Sequence, residues 1–473
     1  MNSRTRFLRI GAALAGAALT LTACSSGADS ATVTVTLPAT VAAAAPVAPV
    51  SPDGSSVTAS PPNDPTAPSS QSTPSSKAAM SAAAMSAAAK PRTASSTATR
   101  TTSSVSPSLA AGAPTITTIP AAGTSDISPI TPVVVKVTGG KLQTLSMTNP
   151  DGKLVAGKYS TDETTWTSAE PLAFARAYAI DAAATSAAGV KSTSNTKFTT
   201  VKPRLTVFPS FFPNPTMKTV GIGQPMVVIF DKPPTDRVAA EEALTVTAVP
   251  AVKGSWYWWD NRTLHYRPEN YWKAGTKISV VAKVYGVKLG DGMYGEVDRT
   301  LNVTVGPSKI AKVNDATKSM QVFIDGKLVR SIPVSLGRNQ SLDVKGKKIS
   351  LVTPSGTYVA QEKYPVKQMS SATYGLPTSY DLGYDKAIPL AVRISNGGIF
   401  VHSAPWSVAD QGIRNVSHGC ININPAAAQW FYNTFGFGDI VQITGTSTKL
   451  APTDGFGDWN LSWDKWQQGS ALR

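Results

Sequence analysis

Cysteine and histidine are scarce in this chain: among 473 residues there are two cysteines, Cys24 and Cys420, and three histidines, His265, His402 and His418. Two cysteines exclude a disulfide framework and a four-cysteine metal site, and three histidines leave little material for a metal centre, so any chemistry is expected to come from few residues. Charge is thin as well. Charged side chains make up 15% of the residues, and the net charge of +15 arises from few acids (29, against 44 Lys and Arg) rather than from basic clusters. No run of five or six Lys/Arg occurs, which argues against a dedicated nucleic-acid patch and leaves solubility, with weak attraction to an anionic envelope, as the meaning of the charge. Aromatic residues are missing altogether between Phe7 and Tyr159. Without large apolar side chains a segment cannot offset its own ordering entropy, so the Ala/Ser/Thr/Pro-rich residues 25–125 read as a disordered tether.

The first 24 residues carry an export pattern: Arg4, Arg6 and Arg9, then an apolar run from Ile10 to Leu21 too short to span a bilayer. Leu21-Thr22-Ala23-Cys24 resembles the lipobox of bacterial lipoproteins. The resemblance implies cleavage before Cys24, lipidation of its thiol, and a protein anchored to the outer face of the cell membrane. A coil of about 100 residues has a root-mean-square span of roughly 55 Å, enough to hold a folded body well clear of that membrane and reach into a wall.

From Pro129 the pattern changes to short alternating strands broken by turn residues, and the length allows two to four domains. Residues 126–203, with Val133, Val135 and Val137 alternating and Leu172 to Ile180 at period two, read as one immunoglobulin-like β-sandwich. Residues 204–306, with strands at Met226 to Phe230, Leu244 to Ala248, Ser255 to Trp259, Ile278 to Val284 and Leu301 to Val305, read as a second. His265 falls on a strand there and is expected to be structural. Residues 307–446 form a third, β-rich unit with a hairpin turn at Asp325-Gly326 and a final strand at Ile440 to Thr444. Between them a helix is predicted over Pro425 to Thr434, capped by Asn424. The tail, residues 447–473, places Trp459, Trp463 and Trp466 at helical offsets and is expected to pack on the body. The fold class is therefore mainly β.

Chemistry concentrates in Ile399-Phe400-Val401-His402-Ser403-Ala404-Pro405-Trp406 and Val416-Ser417-His418-Gly419-Cys420-Ile421-Asn422. A free thiol is a few per cent thiolate at neutral pH, and a nearby imidazole removes that deficit by taking the proton or pairing with the anion. A cysteine nucleophile with a histidine base is the economical reading, and an ionised sulfur held by imidazole is its expected form. His402 ends an apolar strand-like run, while Gly419 lets the backbone turn and aim amide protons at one point. Zinc on His402, His418 and Cys420, an inert buried cysteine, and His418 as the base in place of His402 all remain open from these residues.

Ser417-His418-Gly419-Cys420-Ile421-Asn422, preceded by His402, resembles the signature of the L,D-transpeptidases, which cross-link bacterial cell walls. His402-Ser403-Ala404-Pro405-Trp406-Ser407-Val408 and the whole layout are similar to the mycobacterial type. Serine at Ser403, where much of the family has glycine, is shared with that type. The resemblance implies Cys420 as nucleophile, His402 as general base, and the Ser403 carbonyl orienting the imidazole. It further implies that Ser417 and His418 shape the loop, and that the amides of His418, Gly419 and Cys420 form an oxyanion pocket. A flap over Met369 to Tyr384 would bring Met369, Tyr374, Tyr384 and, beyond it, Trp406 to the substrate, with Asn422 beside the nucleophile. The implied partners are peptidoglycan donor and acceptor stem peptides, with carbapenem-type β-lactams as covalent inhibitors. The implied product is a three-to-three cross-link, and the implied chemistry needs no cofactor. An L,D-carboxypeptidase using the same acyl-enzyme, or a noncatalytic wall-binding lipoprotein, are the alternatives.

Overall fold

The computed structural model describes residues 112–473. The signal segment, Cys24 and residues 25–111 of the tether lie outside the described residues. The first sandwich begins earlier than its composition indicates: Thr115–Ile119 is a strand paired antiparallel with Val134–Thr138, inside the segment read as tether. Short Thr and Ile side chains alternate there without any aromatic, and an edge strand needs little burial of its own; no residue of it is fully buried. That strand heads a sheet completed by Thr165–Ser168 and Gly157–Tyr159, facing a second sheet of Lys141–Thr148, Ala177–Thr185 and Lys191–Thr199. Val133, Val135 and Val137 meet Trp166, Tyr178 and Ile180 in the core between them. The long strand starts at Ala177 rather than Leu172, because Ala175 adopts φ 53° and turns the chain first.

The second sandwich is built from a sheet ordered Thr219–Val220, Arg299–Val305, Lys277–Ala282, Leu244–Val249 and another ordered Gly254–Trp258, Thr263–Pro268, Met226–Phe230, Pro209–Phe212. Its aromatic core includes Trp256, Trp258 and Trp272 and continues into the third unit through Val359 and Ile440. His265 is buried on its strand, as a structural histidine, with Nδ1 2.7 Å from Asp458 Oδ1.

The third unit carries the candidate chemistry on two sheets. One runs Lys327–Pro333, Ser319–Ile324, Lys309–Asn314, Ile440–Thr444, Gly356–Val359; the other runs Lys363–Ser370, Asp385–Arg393, Phe400–Ser403, Ile421–Ile423. The predicted helix forms over Pro425–Thr434, with Asn424 Oδ1 accepting from Ala427 N–H at 2.9 Å. It buries Ala427, Ala428 and Phe431 against Val392, Val401, Ile421 and Ile423. This packing fixes the two short strands that end at His402-Ser403 and begin after Cys420.

The tail docks as expected but not as one helix. Trp459 lies in a helical turn at Gly457–Asn460, Leu461 is extended, and Ser462 caps a separate short helix, Trp463–Gln467. Trp466 is fully buried against the second sandwich, donating from Nε1 to the Ser255 carbonyl at 2.9 Å.

Candidate active site

Phe400–Ser403 and Ile421–Ile423 run parallel, in the register Val401 to Ile421, His402 to Asn422 and Ser403 to Ile423. Side chains alternate across a strand, so His402 and Asn422, paired in register, share one face; Cys420 lies in the bend just before Ile421–Ile423 and lines the same cavity as both. His402 is buried. Its Nδ1 lies 2.9 Å from the Ser403 carbonyl, and since a carbonyl accepts, Nδ1 carries the proton and Nε2 keeps the lone pair. Burial lowers its pKa from 6.5 to about 4, against the pull of that carbonyl. The ring is therefore neutral at physiological pH.

Ser417 organises the motif loop. Its hydroxyl donates to the Cys420 carbonyl at 2.6 Å and accepts the Gly419 amide at 3.1 Å. Gly419 adopts φ 133°, a conformation left to glycine. Of the three amides expected to form an oxyanion pocket, that of Gly419 already donates to Ser417. Among the described residues, the amides of the other two, His418 and Cys420, donate to no protein acceptor. His418 points elsewhere: Nε2 donates to the Leu382 carbonyl of the flap at 2.9 Å, and its ring lies 4.8 Å from that of Tyr384. Burial, with Arg338 nearby, lowers its pKa too.

The flap is a hairpin between Lys363–Ser370 and Asp385–Arg393, with a helical turn at Ser371–Tyr374. Met369 is buried, and Tyr374 and Tyr384 lie with ring centroids 6.4 Å apart. Burial raises the pKa of both phenols. Asn422 donates to Ser407 Oγ at 3.0 Å, securing the turn that presents Trp406. Trp406 is 53% exposed, with its ring 6.0 Å from that of His402.

Two cavities meet at the sulfur. One, of about 430 Å³, is lined by Arg338, His402, Trp406, Ser417, Asn422 and Cys420. The other, of about 780 Å³, is lined by Tyr374, Arg393, Gly398, Phe400, Gly419 and Cys420. Met369, Tyr384 and His418 border both. All eleven sequence-predicted residues lie in this region, Ser403 through its carbonyl. Arg338, Gly398 and Arg393 were not anticipated; the Gly397-Gly398 pair before the His402 strand is a loop signal that marks where Gly398 would sit. Among the described residues no three His, Cys, Asp or Glu side chains converge to hold a metal ion.

Residues 308–443 match the L,D-transpeptidase catalytic domain family. L,D-transpeptidase 2 of Mycobacterium tuberculosis is 40% identical over 341 residues, covering 72% of this chain and 81% of that relative. The chain belongs to the L,D-transpeptidase family. L,D-transpeptidase 5 of Mycobacterium tuberculosis is 37% identical over 365 residues, 76% of this chain and 78% of that protein. Residues 124–288 match a bacterial Ig domain family, a span that runs through the first sandwich and into the second. A solved L,D-transpeptidase in complex with imipenem is 31% identical and aligns over 50% of this chain and 97% of its own, at a TM-score of 0.42.

In this L,D-transpeptidase the thiol differs from its expected ionised form. Cys420 Sγ points to the Gly398 carbonyl at 3.7 Å, and burial pushes its pKa up to about 11, against the Phe400 amide and Arg393. A carbonyl accepts the S–H proton and offers a thiolate nothing, so the resting site holds a neutral thiol beside a neutral imidazole. Alkylation of Cys420 by iodoacetamide, followed by peptide mass mapping, is expected to rise about tenfold per pH unit between pH 7 and 10, following the thiolate fraction. A rate that levels off below pH 8 would show a resting thiolate instead.

Proposed function

We propose that this L,D-transpeptidase joins peptidoglycan stems by a two-step acyl transfer through Cys420, with His402 as the base. The sulfur attacks the carbonyl of the third residue of a donor tetrapeptide stem while its proton passes to His402 Nε2. The negative charge that develops on the carbonyl oxygen meets the His418 and Cys420 amides. His402 returns the proton to the departing amine of the terminal D-alanine, leaving a thioester on Cys420. An amine on the third residue of an acceptor stem then attacks the thioester, His402 accepts its proton, and the sulfur leaves and is reprotonated. The product is a three-to-three cross-link.

The observation that carries this reading is the parallel pairing of Phe400–Ser403 with Ile421–Ile423, which brings His402 and the Cys420 that precedes the second strand to the wall of one cavity. His402 is favoured over His418 as base because its free lone pair is on Nε2, with Nδ1 committed to Ser403, whereas His418 is tied to the flap. A thiol and an imidazole that are both neutral at rest call for proton transfer as the C–S bond forms. Two cavities that both have Cys420 in their lining suit a reaction with two large partners, donor and acceptor. The same site would be acylated by carbapenem-type β-lactams, whose strained carbonyl presents the same electrophile. The signal, the lipobox at Cys24 and the tether support export and lipid anchoring on the outer membrane face, with the tether reaching toward the wall.

Intact-protein mass after exposure to a carbapenem is expected to show one adduct in the wild type and none in Cys420→Ala. A surviving adduct would discard Cys420 as nucleophile. With a tetrapeptide-bearing disaccharide, dimers are expected; tripeptide monomers alone would make the enzyme a carboxypeptidase, and unchanged substrate would leave wall binding as its role.

A further inference from the structure

We infer that Thr353 is a positioning residue for acylation: its hydroxyl fixes the Gly419–Cys420 peptide so that the Cys420 amide proton is held toward the substrate oxygen. The inference rests on the reading of Cys420 as nucleophile. Thr353 lies outside the motif, in the loop between Lys347–Ser350 and Gly356–Val359, and is fully buried.

Its Oγ1 accepts the Gly337 amide at 2.8 Å and donates to the Gly419 carbonyl at 2.7 Å. A hydroxyl has one proton, and here its direction is settled: Gly337 supplies a donor, so the proton goes to Gly419. Gly337 is held in turn against the motif strand, bridging to Ser417, and a Cβ at Gly337 would come within 2.9 Å of Gly419 Cα. The anchor is therefore backbone on one side and backbone on the other, with Thr353 between them.

Something must hold that peptide, because sterics do not. Gly419 sits at φ 133° and has no side chain to pin the peptide that follows it, so the orientation of its carbonyl is left to hydrogen bonding. In a trans peptide the N–H of Cys420 points opposite to the C=O of Gly419. With the carbonyl drawn inward to buried Thr353, the amide is turned outward, to the side where Cys420 borders the two cavities. Ser417 restrains the neighbouring peptides by binding Gly419 N–H and the Cys420 carbonyl, but it does not touch the Gly419 carbonyl. That bond belongs to Thr353.

Thr353→Val keeps the shape and removes the hydroxyl. One misdirected oxyanion donor is expected to slow carbapenem acylation roughly 100-fold. Thr353→Ser, which retains the hydroxyl, should acylate close to the wild-type rate. Alkylation of Cys420 by iodoacetamide displaces iodide at a saturated carbon and develops no oxyanion, so its rate and pH profile should not change in Thr353→Val. Should the valine variant fail to fold, Thr353→Ala is read by the same two rates. Wild-type acylation in the hydroxyl-free variant would overturn the inference, as would acylation and alkylation falling together, which would mark a general collapse of the loop. Failure of the underlying reading is separate and visible, since it appears as an adduct on Cys420→Ala.

Discussion

Replacing His402 by alanine is expected to slow carbapenem acylation of Cys420 by about 10²–10⁴-fold at pH 7, the usual contribution of a positioned general base. The thiol should survive the change: iodoacetamide alkylation at pH 10, where hydroxide does the deprotonation, should stay near wild type. His418→Asn should cost far less, because the His418 imidazole is used to hold the Leu382 carbonyl rather than to take a proton. The acid limb of the acylation profile gives a second readout. A base works when unprotonated, and burial lowers the His402 pKa to about 4. Wild-type acylation should therefore hold steady from pH 7 to about 5 and fall only as pH approaches 4. A fall centred near 6.5 would mean a solvated histidine is the base, and loss of acylation in His418→Asn to the same extent as in His402→Ala would remove the assignment.

The residues behind that prediction were visible in the chain, but their arrangement was visible only in part. Asn424-Pro425 marks a helix start by local chemistry, and Asp325-Gly326 marks a turn because both residues readily take the positive φ observed there, 48° and 79°. Such features depend on neighbours in the chain and are legible. The Thr115–Ile119 strand was not, because its side chains are small and its stability comes from pairing with Val134–Thr138. At the site, His402 and Cys420 stood out because histidine and cysteine are rare here. What the sequence could not display was the role of backbone groups: the Gly398 carbonyl that accepts a hydrogen bond from the thiol, and the Gly419 amide that donates to the Ser417 hydroxyl. A carbonyl has no residue-type signature, so the expected thiolate gave way to a neutral thiol. His265 shows the same limit from another side. Its strand could be read, yet its partner Asp458 lies 193 positions away, in the tail.

Trp466→Ala is expected to cost about 3–5 kcal/mol of stability at the junction of the tail and the second sandwich, the range for emptying a large buried aromatic site. Three contacts set that size. The indole stacks on Tyr257 at 4.9 Å, donates to the Ser255 carbonyl at 2.9 Å, and lies under the Arg267 guanidinium at 4.4 Å. Arg267 is itself buried among Trp459, Trp463 and Trp466, and burial lowers its pKa to about 10, so it remains charged at pH 7. Removing Trp466 thus opens a cavity and also strips one aromatic face from a buried cation, and both losses act in the same direction. Trp466→Phe keeps most of the apolar contact and loses the N–H, so it should cost closer to 1 kcal/mol. Because several domains unfold here, a single melting temperature does not isolate the junction. Limited proteolysis does, with cleavage within residues 447–473 expected to be much faster in the alanine variant and only modestly faster in the phenylalanine variant. Equal cleavage in all three proteins would mean that the docked tail draws its stability from the Asp458–His265 pair and from Asn460, whose side-chain amide brackets the Thr357 backbone through both its oxygen and its nitrogen, rather than from the indole.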